Sequence, residues 1–319
     1  MGPSLRRVDL LVTDLDNTLW DWLTPWARSM EALVDGLHSA SGVPREQLFK
    51  EIHAVHQRFG TVEYSVLVNE LPSLGFTTGT NRAADVYDEA VHAQNSARKA
   101  QTKLYPGVRA TLESIRSAGV PVVAYSEGLE FWTAWRIRTL GLNGLITRLY
   151  TLPDHDFPDG VSVQALRRLP PNQYEFGETD QRTVSRDLVK PNPQVLREIV
   201  DEYGVAVERV AYVGDSLSKD VAMAQTLGAI DVYAEYGATE EGPDSHLLMR
   251  LSHWTAEEIE LSRSVRSLQV TPSYTLRKGF DELLTYFQFG EEPNEAEEAG
   301  RDRVDGRLGS DNRGSATFQ

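Results

Sequence analysis

The run VDLLVTDLDNT at residues 8–18 constrains the fold more than any other stretch of this chain. Its first residues are apolar and β-forming, which is typical of a buried strand, and two carboxylates, Asp14 and Asp16, follow directly. In open α/β sheets, ligands bind in the crevice outside the carboxyl ends of the strands. Because two neighbouring carboxylates repel each other there, we expect a cation beside them, most simply a divalent metal ion.

From residue 104 onward, short apolar strands alternate with amphipathic helices. The predicted strands are PVVAYS, LITRLYTL, RVAYVGD and AIDVYAEYG, and the predicted helices are VRATLESIRSA, EFWTAWRIRTL, NPQVLREIVDEYG and SKDVAMAQTLG. This alternation predicts an α/β fold, a doubly wound parallel sheet with right-handed crossovers. The run TPSYTLRKGFDELLTYF predicts a last strand and a closing helix.

The residues before this alternation have a helical pattern, with apolar residues at spacings of three and four and Pro or Gly between the runs. We therefore predict an α/β domain formed by residues 1–20 and 104–288, with an all-helical domain, residues 21–103, inserted in it. Three segments fit neither pattern. Residues 151–188 are predicted to be a loop or hairpin insertion, residues 237–269 to contain a helix (HWTAEEIELSRSVRSL), and residues 289–319 to be a disordered acidic tail.

Composition restricts the class of protein. The length of 319 residues suggests about two domains, and the formal net charge of −15 argues against a nucleic-acid backbone or an anionic membrane as the main partner. The absence of cysteine rules out disulfides, thiol catalysis and thiolate metal sites. The sequence shows neither an apolar signal segment nor a run of about 18 apolar residues. We expect a soluble, cytoplasmic protein.

Polar residues with possible chemical roles stand at the predicted strand ends. They are Asp14, Asp16 and Thr18 after the first strand, Ser126 after PVVAYS, Lys190 before a helix, and Asp215 and Asp220 after RVAYVGD. Taken singly, each has an ordinary explanation as a helix cap, a turn former or a surface residue. Together and in this order, they predict one crevice in which the side chains meet.

These motifs resemble those of the haloacid dehalogenase-like (HAD) hydrolase superfamily. Its D-x-D-x-T motif appears as DLDNT, its Ser or Thr after an apolar strand as VVAYS, its Lys as KPNP, and its G-D-x-x-x-x-D motif as GDSLSKD. The helical block between the first two motifs resembles the cap domain that many members insert there. The resemblance covers about residues 8–236 and implies a Rossmann-like core with a helical cap.

The resemblance implies a role for each matched residue. Asp14 would attack phosphorus and form an aspartyl-phosphate, and Asp16 would act as general acid and then as general base. Lys190 would neutralise charge on the phosphoryl group and the nucleophile, and Ser126 would hydrogen-bond a phosphoryl oxygen. An acid at position 16 favours phosphate ester chemistry over halide displacement, because a halide leaves without a proton.

The resemblance also implies Mg²⁺ as the cofactor, a cation that prefers hard oxygen ligands and retains water. The expected ligands are the Asp14 carboxylate, the Asp16 backbone carbonyl and Asp215, while Asp220 would hold either Lys190 or a metal-bound water. The expected partner is a phosphorylated small molecule over which the cap closes. The sequence does not rank the candidate substrates, nor does it indicate an oligomeric state.

Three further features are interpreted as structural. Glu127 stands where the family more often has a small or amide residue, and we interpret it as the N-terminal acid of the next helix rather than as catalytic. The cluster Trp20, Trp22 and Trp26 is interpreted as packing for the cap rather than as a stacking surface for substrate. The two histidines of residues 53–56 have a spacing that could hold a metal, but without a third ligand they are interpreted as packing or surface residues.

Two alternatives to a phosphatase remain open. One is phosphoryl transfer to an acceptor other than water, as in the phosphotransferases and phosphomutases of the same family; release of inorganic phosphate without an added acceptor would argue against it. The other is a catalytically lapsed interaction protein that uses the acidic tail and the two atypical insertions. Activity on any phosphomonoester of a broad panel would argue against that reading.

Overall fold

The computed structural model describes residues 5–75, 82–157, 175–239, 241–255, 257 and 270–290. The strands of this described part are β1 Arg6–Val8, β2 Leu10–Thr13, β3 Val122–Leu129, β4 Arg148–Leu152, β5 Asp180–Thr183, β6 Val210–Gly214, β7 Ile230–Ala234, β8 Tyr274–Leu276 and β9 Phe287–Phe289. Its α-helices are α1 Leu23–Ser41, α2 Arg45–Phe59, α3 Ala83–Val86, α4 Asp88–Gln101, α5 Val108–Ser117, α6 Glu130–Thr139, α7 Pro193–Tyr203, α8 Ala222–Leu227, α9 Pro243–Leu251 and α10 Leu283–Tyr286.

Seven of these strands form one parallel sheet in the order β5-β4-β3-β2-β6-β7-β8. The predicted doubly wound parallel sheet is thereby confirmed. The chain fills one side of β2 with β3 to β5 and the other side with β6 to β8, so the strand order reverses at β2. The crevice at such a reversal point is where open α/β sheets bind ligands, and β2 is the strand that ends at Asp14.

The apolar run at the start of the chain forms two strands rather than the single strand predicted. β1 pairs with β9 outside the main sheet, and β2 enters the main sheet at its centre. Asp9 lies at the break, where its backbone N–H donates to the carbonyl of Arg209 at 2.9 Å. Burial of every residue of β2 explains why this short strand is wholly apolar apart from Thr13.

The helices between β2 and β3 build a hydrophobic cluster of their own. It includes the buried Trp26, Leu33 and Ile52 and is separate from the clusters on the two faces of the sheet. The packing of α1 along α4 depends on a glycine, because a Cβ at Gly36 would lie 2.7 Å from the Cβ of Ala90. We call this helical unit the cap.

The cap has a component that the predicted boundaries 21–103 leave out. Helix α9, which follows β7, packs against α1 and α2, and its last residue, Leu251, is buried in the cap cluster. The carbonyl of Leu251 is 2.6 Å from Nδ1 of the buried His56 on α2. The interpretation of His56 as a packing residue is confirmed by this contact.

The predictions for the three segments that fitted no pattern are partly corrected by the structure and partly lie outside the described residues. The predicted loop at residues 151–188 contains the edge strand β5, which pairs with β4; its sequence, DQRT, has the polar character of an exposed edge and so gave no strand signal. Most of the helix predicted in residues 253–268 lies outside the described residues, as does the predicted tail apart from Phe289 and Gly290. Phe289 itself belongs to β9. In the described part, no helix has both the length and the apolarity to cross a bilayer.

Candidate active site

The turn after β2 brings the first two acids of the chain to the carboxyl edge of the sheet. Its backbone reverses at Asn17, which has a left-handed φ of 60°, a conformation that Asn adopts more readily than most residues. Thr18 Oγ1 donates to Asp14 Oδ2 at 3.3 Å, and the Thr18 carbonyl accepts from the Tyr236 hydroxyl at 2.6 Å. The turn is therefore fixed by a hydrogen bond between two of its own residues and by a second one from the loop after β7.

Lys190 joins Asp14 to Asp220. Its Nζ is 2.5 Å from Asp14 Oδ1 and 2.9 Å from Asp220 Oδ1, and the residue is 5% exposed. The start of α7 fixes its position, because the Asn192 side chain caps that helix by accepting from the Val195 N–H at 3.1 Å. Burial alone lowers the pKa of Lys190, but the two carboxylates outweigh burial and raise this pKa well above its ordinary value. Lys190 is therefore a fixed positive charge beside Asp14.

Three carboxylates surround this single lysine. Carboxylate oxygens of Asp14, Asp215 and Asp220 lie within 4.8 Å of one another. No other group of three or more acidic or histidine side chains lies so close together in the described part of the chain. Burial is the main cause that raises the pKa of Asp14 to about 7, with a further rise from Asp220 and opposition from Lys190. Burial, followed by Asp14 and Asp220, raises the pKa of Asp215 well above its ordinary value.

The excess negative charge of this cluster fits a divalent cation. Both oxygens of Asp220 already accept hydrogen bonds, Oδ1 from Lys190 and Tyr212 and Oδ2 from the Ser216 N–H. Asp215, in contrast, accepts none from any other residue of the described chain. Hard carboxylate oxygens are what Mg²⁺ prefers, and a bound cation would lower the pKa of Asp14 and of Asp215. Asp14 and Asp215 are therefore better placed than Asp220 to hold such an ion.

Three side-chain oxygens lie close around Gly128, between β3 and α6. A Cβ built on this glycine would lie 2.5 Å from Thr133 Oγ1, 3.2 Å from Ser126 Oγ and 3.4 Å from Asp16 Oδ2. Ser126 Oγ accepts the Gly128 N–H at 3.0 Å, which fixes the backbone at this point. Three oxygens thus converge on Gly128, and a side chain at this position would crowd them.

Sequence reasoning missed Thr133. Its Oγ1 is buried and has no hydrogen-bond partner in the described part of the protein. A buried hydroxyl without a partner is costly, so this group is free to bond a ligand beside Ser126. No motif pointed to it, because a threonine in the first turns of an amphipathic helix is common.

Asp16 is held apart from the carboxylate cluster. Its Oδ1 accepts the indole N–H of Trp20 at 2.6 Å and lies 3.9 Å from Arg136 Nη1. Burial raises the pKa of Asp16, Glu63 adds to this rise, and Arg136 and Trp20 oppose it. The interpretation of Trp20 as cap packing is wrong: this residue is buried in the α/β core and bonds Asp16, whereas Trp26 does pack in the cap.

Glu127 is also placed differently from the interpretation as a helix-starting acid. It lies inside β3, which continues to Leu129 because the strand pairs with β4 beyond an irregularity. Its Oε1 accepts the backbone N–H of Lys190 at 2.8 Å, and its Oε2 is 2.5 Å from Lys219 Nζ. The ion pair with Lys219 balances the negative charge of Glu127, and the hydrogen bond from the Lys190 N–H lets Glu127 support the backbone of Lys190.

The fold therefore brings the sequence-predicted site residues to one edge of the sheet. Asp14, Lys190, Asp215 and Asp220 form one contiguous cluster, and Ser126 and Asp16 lie beside it around Gly128. An acid with a raised pKa, a separate carboxylate next to a lysine, and two nearby hydroxyls are the components of acid–base and nucleophilic chemistry on a small anion.

Comparisons with known proteins identify the family of this chain. A protein-family model described as haloacid dehalogenase-like hydrolase matches residues 8–228. The chain is 24% identical over 242 residues to a glyceraldehyde 3-phosphate phosphatase of Methanopyrus kandleri, covering 73% of this chain and 87% of that protein.

Two solved structures illustrate the structural matches. One is a 2-haloacid dehalogenase from Pseudomonas syringae pv. Tomato DC3000, with 19% identity, a TM-score of 0.48 and coverage of 88% of this chain and 97% of that one. The other is a HAD phosphatase from Thermococcus onnurineus, with 16% identity, a TM-score of 0.48 and coverage of 87% and 97%. Since the family model spans well over half of the sequence and includes all four motifs, this chain belongs to the haloacid dehalogenase-like hydrolases.

Proposed function

We propose that this protein hydrolyses a small-molecule phosphomonoester with the help of Mg²⁺, through a phosphoryl group carried on Asp14. The observation that carries the proposal is the difference between the environments of two acids. Asp14 is paired with Lys190 inside the carboxylate cluster, and Asp16 stands apart with a raised pKa. Paired acids in different environments commonly take the roles of nucleophile and proton donor.

In the first half of the reaction, a carboxylate oxygen of Asp14 attacks phosphorus and the bond from phosphorus to the leaving oxygen breaks. Asp16 gives its proton to that oxygen, so an alcohol leaves and an aspartyl-phosphate remains. Lys190 stabilises the negative charge of the transferring group, and Ser126 and Thr133 offer hydroxyls to its oxygens.

In the second half, Asp16 takes a proton from water as the water oxygen attacks the phosphorus of the aspartyl-phosphate. The bond from phosphorus to Asp14 breaks, and inorganic phosphate is released. Asp14 and Asp215 would hold Mg²⁺ with the backbone carbonyl of Asp16, and the bound ion would offset the negative charge of the phosphoryl group.

Two facts outside the site support the small-molecule substrate. A relative at 24% identity is named a glyceraldehyde 3-phosphate phosphatase. Helices α1 to α4 follow β2 and precede β3 in the chain, the place of a cap that could cover the leaving group and exclude water. The domain boundaries 1–20, 21–103 and 104–288, with α9 added to the cap, form part of this proposal. So does a cytoplasmic location.

A phosphate-release screen tests the proposal. The purified protein is incubated with a panel of phosphomonoesters, with and without Mg²⁺, beside the Asp14→Asn variant, whose amide is nearly isosteric but a poor nucleophile. We expect Mg²⁺-dependent release of phosphate by the wild type alone, and acid quenching during turnover should trap a phosphorylated chain. Absence of release across the panel, or wild-type rates in Asp14→Asn, would overturn the proposal. Transfer that needs an added acceptor would favour a phosphotransferase.

A further inference from the structure

Arg98, on the cap helix α4, is a largely buried cation. The residue is 7% exposed, and its guanidinium donates no hydrogen bond and forms no ion pair with the described residues. Its guanidinium carbon lies over the ring of Trp132, 4.1 Å from the ring centre. Burial lowers the pKa of Arg98 to about 10, with partial opposition from Glu63.

The other arginine buried nearby has a different environment. Arg136, on α6, binds both carboxylate oxygens of Glu63 through its two terminal nitrogens. The charge of Glu63 is therefore used by Arg136. Arg136 also lies 3.9 Å from Asp16 Oδ1, whereas no carboxylate oxygen of the described residues lies within ion-pair distance of Arg98.

Such an arrangement is costly unless a ligand completes it. A buried charge without a partner destabilises a fold, and stacking on an indole offsets only part of that cost. The planar guanidinium fork matches the oxygens of a carboxylate or a phosphate. Arg98 thus has the properties of a group that binds an anion.

A continuous series of contacts links Arg98 to the proposed proton donor. Trp132 Nε1 donates to the backbone carbonyl of Glu63 at 2.9 Å. The carboxylate of Glu63 binds Arg136, and Arg136 Nη1 is 3.9 Å from Asp16 Oδ1. Because Asp16 protonates the leaving oxygen in the proposed reaction, the leaving group lies on this side of the site, toward the cap.

We propose that Arg98 binds a second anionic group, a carboxylate or a phosphate, on the leaving-group part of the substrate. The substrate class is then a phosphomonoester of a small hydroxy acid, or a small bisphosphate, rather than a neutral sugar phosphate. This inference rests on the proposed function, because it places the leaving group beside Asp16. The cap would thereby recognise the substrate by charge, while the sheet edge performs the chemistry.

The test compares substrates that share a carbon frame and differ in one group. Glycerol 3-phosphate is neutral at the far end, 3-phosphoglycerate has a carboxylate there, and glycerol 1,3-bisphosphate has a second phosphate. Phosphoglycolate and 2-hydroxyethyl phosphate form a matched pair with two carbons. We expect the wild type to prefer anionic substrates at least 10-fold in kcat/KM, and the carboxylate and bisphosphate arms identify which oxyanion is bound.

The Arg98→Met variant removes the charge and keeps a similar length. It should lose 10-fold or more in kcat/KM on the anionic substrates, mainly through KM, and change less than about 3-fold on the neutral ones. Arg98→Lys should recover part of the preference. The matched control is Arg58→Met, since Arg58 also stacks on an aromatic ring of the cap, Phe59, but at an exposed position; we expect wild-type preference from it.

Stability and binding measurements separate this inference from a structural role. Without ligand, Arg98→Met should be at least as stable as the wild type, because it removes a buried unpaired charge. A strong loss of stability, or an equal loss of activity on anionic and neutral substrates, would show that Arg98 serves the fold and would overturn the inference. Calorimetric binding of phosphoglycolate to Asp14→Asn, and its loss in Asp14→Asn/Arg98→Met, does not depend on turnover. If the wild type hydrolysed no substrate but phosphoglycolate binding still depended on Arg98, the proposed function would be wrong and the inference about Arg98 would stand.

Discussion

The indole N–H of Trp20 donates to Oδ1 of Asp16 at 2.6 Å, and this bond favours one position for a proton on Asp16. The carbonyl oxygen of a protonated carboxyl group is its better acceptor, so a hydrogen bond to Oδ1 favours the proton on Oδ2. Oδ2 is the oxygen that lies toward Gly128, where the hydroxyls of Ser126 and Thr133 also lie. Trp20 therefore aims the proton of the proposed general acid at the place where a leaving oxygen would lie.

Replacing Trp20 by phenylalanine should impair proton donation more than phosphoryl transfer itself. Phenylalanine keeps an aromatic ring but lacks the five-membered ring with its N–H, so the proton can reside on either oxygen of Asp16. We predict about a 10-fold or greater loss of kcat/KM on alkyl phosphates, whose leaving oxygen needs a proton, and a much smaller loss on 4-nitrophenyl phosphate. Steady-state kinetics with both substrates measures the ratio.

Trp26 provides a matched control for this prediction. It is also buried, and its indole N–H also makes one hydrogen bond, to the carbonyl of Val62 at 3.0 Å in the cap. Trp26→Phe should lower stability by roughly 1–3 kcal/mol, as substitutions of buried side chains commonly do, and leave the ratio between the two substrates unchanged. Equal ratios in Trp20→Phe and the wild type would show that Trp20 only packs.

Gly128→Ala should block the site without unfolding the protein. Gly128 does not require a left-handed backbone, so alanine can adopt its conformation, but the new methyl group would lie 2.5 Å from Thr133 Oγ1 and 3.2 Å from Ser126 Oγ. We predict a loss of activity of 100-fold or more and a lower melting temperature. Gly128→Ala/Thr133→Ala relieves the contact with Thr133 and should recover stability but little activity; full recovery of activity would contradict an obstructed site.

Glu127 should act through the position of Lys190. Glu127→Ala removes the acceptor of the Lys190 N–H and should lower kcat about 10-fold, whereas Glu127→Gln keeps an acceptor and should lower it much less. Lys219→Met removes only the partly exposed ion pair, which is worth about 1 kcal/mol or less, and serves as the control. If Lys219→Met were as harmful as Glu127→Ala, the ion pair rather than the Lys190 contact would be responsible.

Asp215→Asn tests the metal site. It removes one carboxylate from the cluster, so we predict that the Mg²⁺ concentration for half-maximal activity rises 10-fold or more. Thermal shift gives a second readout: Mg²⁺ should raise the melting temperature of the wild type but not of Asp215→Asn. An unchanged metal titration would remove Asp215 from the ligand set.

The buried His56 predicts a loss of stability in acid. Burial lowers its pKa from 6.5 to about 4, although the bond to the Leu251 carbonyl opposes this. Between pH 6.5 and 4 the unfolded chain therefore binds a proton that the folded chain does not, and the stability falls as the pH drops through this range, by up to about 3 kcal/mol. Above pH 6.5 the effect is absent.

Denaturant unfolding at pH 7 and pH 4.5 checks this. His56→Gln should reduce the fall in unfolding free energy between the two pH values, because the amide can still donate to the Leu251 carbonyl but does not titrate. His92→Gln, at an exposed position of α4, is the control and should keep the wild-type fall. The same fall in all three proteins would exclude His56 as its source.

Much of the framework could be predicted from the sequence because the relevant signals are local. The apolar runs before Asp14, Ser126 and Asp215 predicted strands whose carboxyl ends share one edge, and the structure places these residues there. Helices α1, α2 and α4 were predicted from periodicity in the same way. Strand β5 was missed, since an exposed edge strand of polar residues lacks the apolar pattern that predicts a strand.

The sequence by itself determined the parallel α/β sheet and the acids and lysine at its edge, because hydrophobic period and motif spacing act over a few residues. Only the tertiary structure decided that Trp20 bonds Asp16, that Glu127 supports Lys190, that α9 joins the cap, and that Arg98 is buried with no acceptor among the described residues. Most of these depend on packing between distant elements: Glu63 and Arg136 are 73 residues apart, and His56 and Leu251 are 195 apart. Contacts at such separations follow from how whole helices and strands pack, which no local pattern of residues encodes.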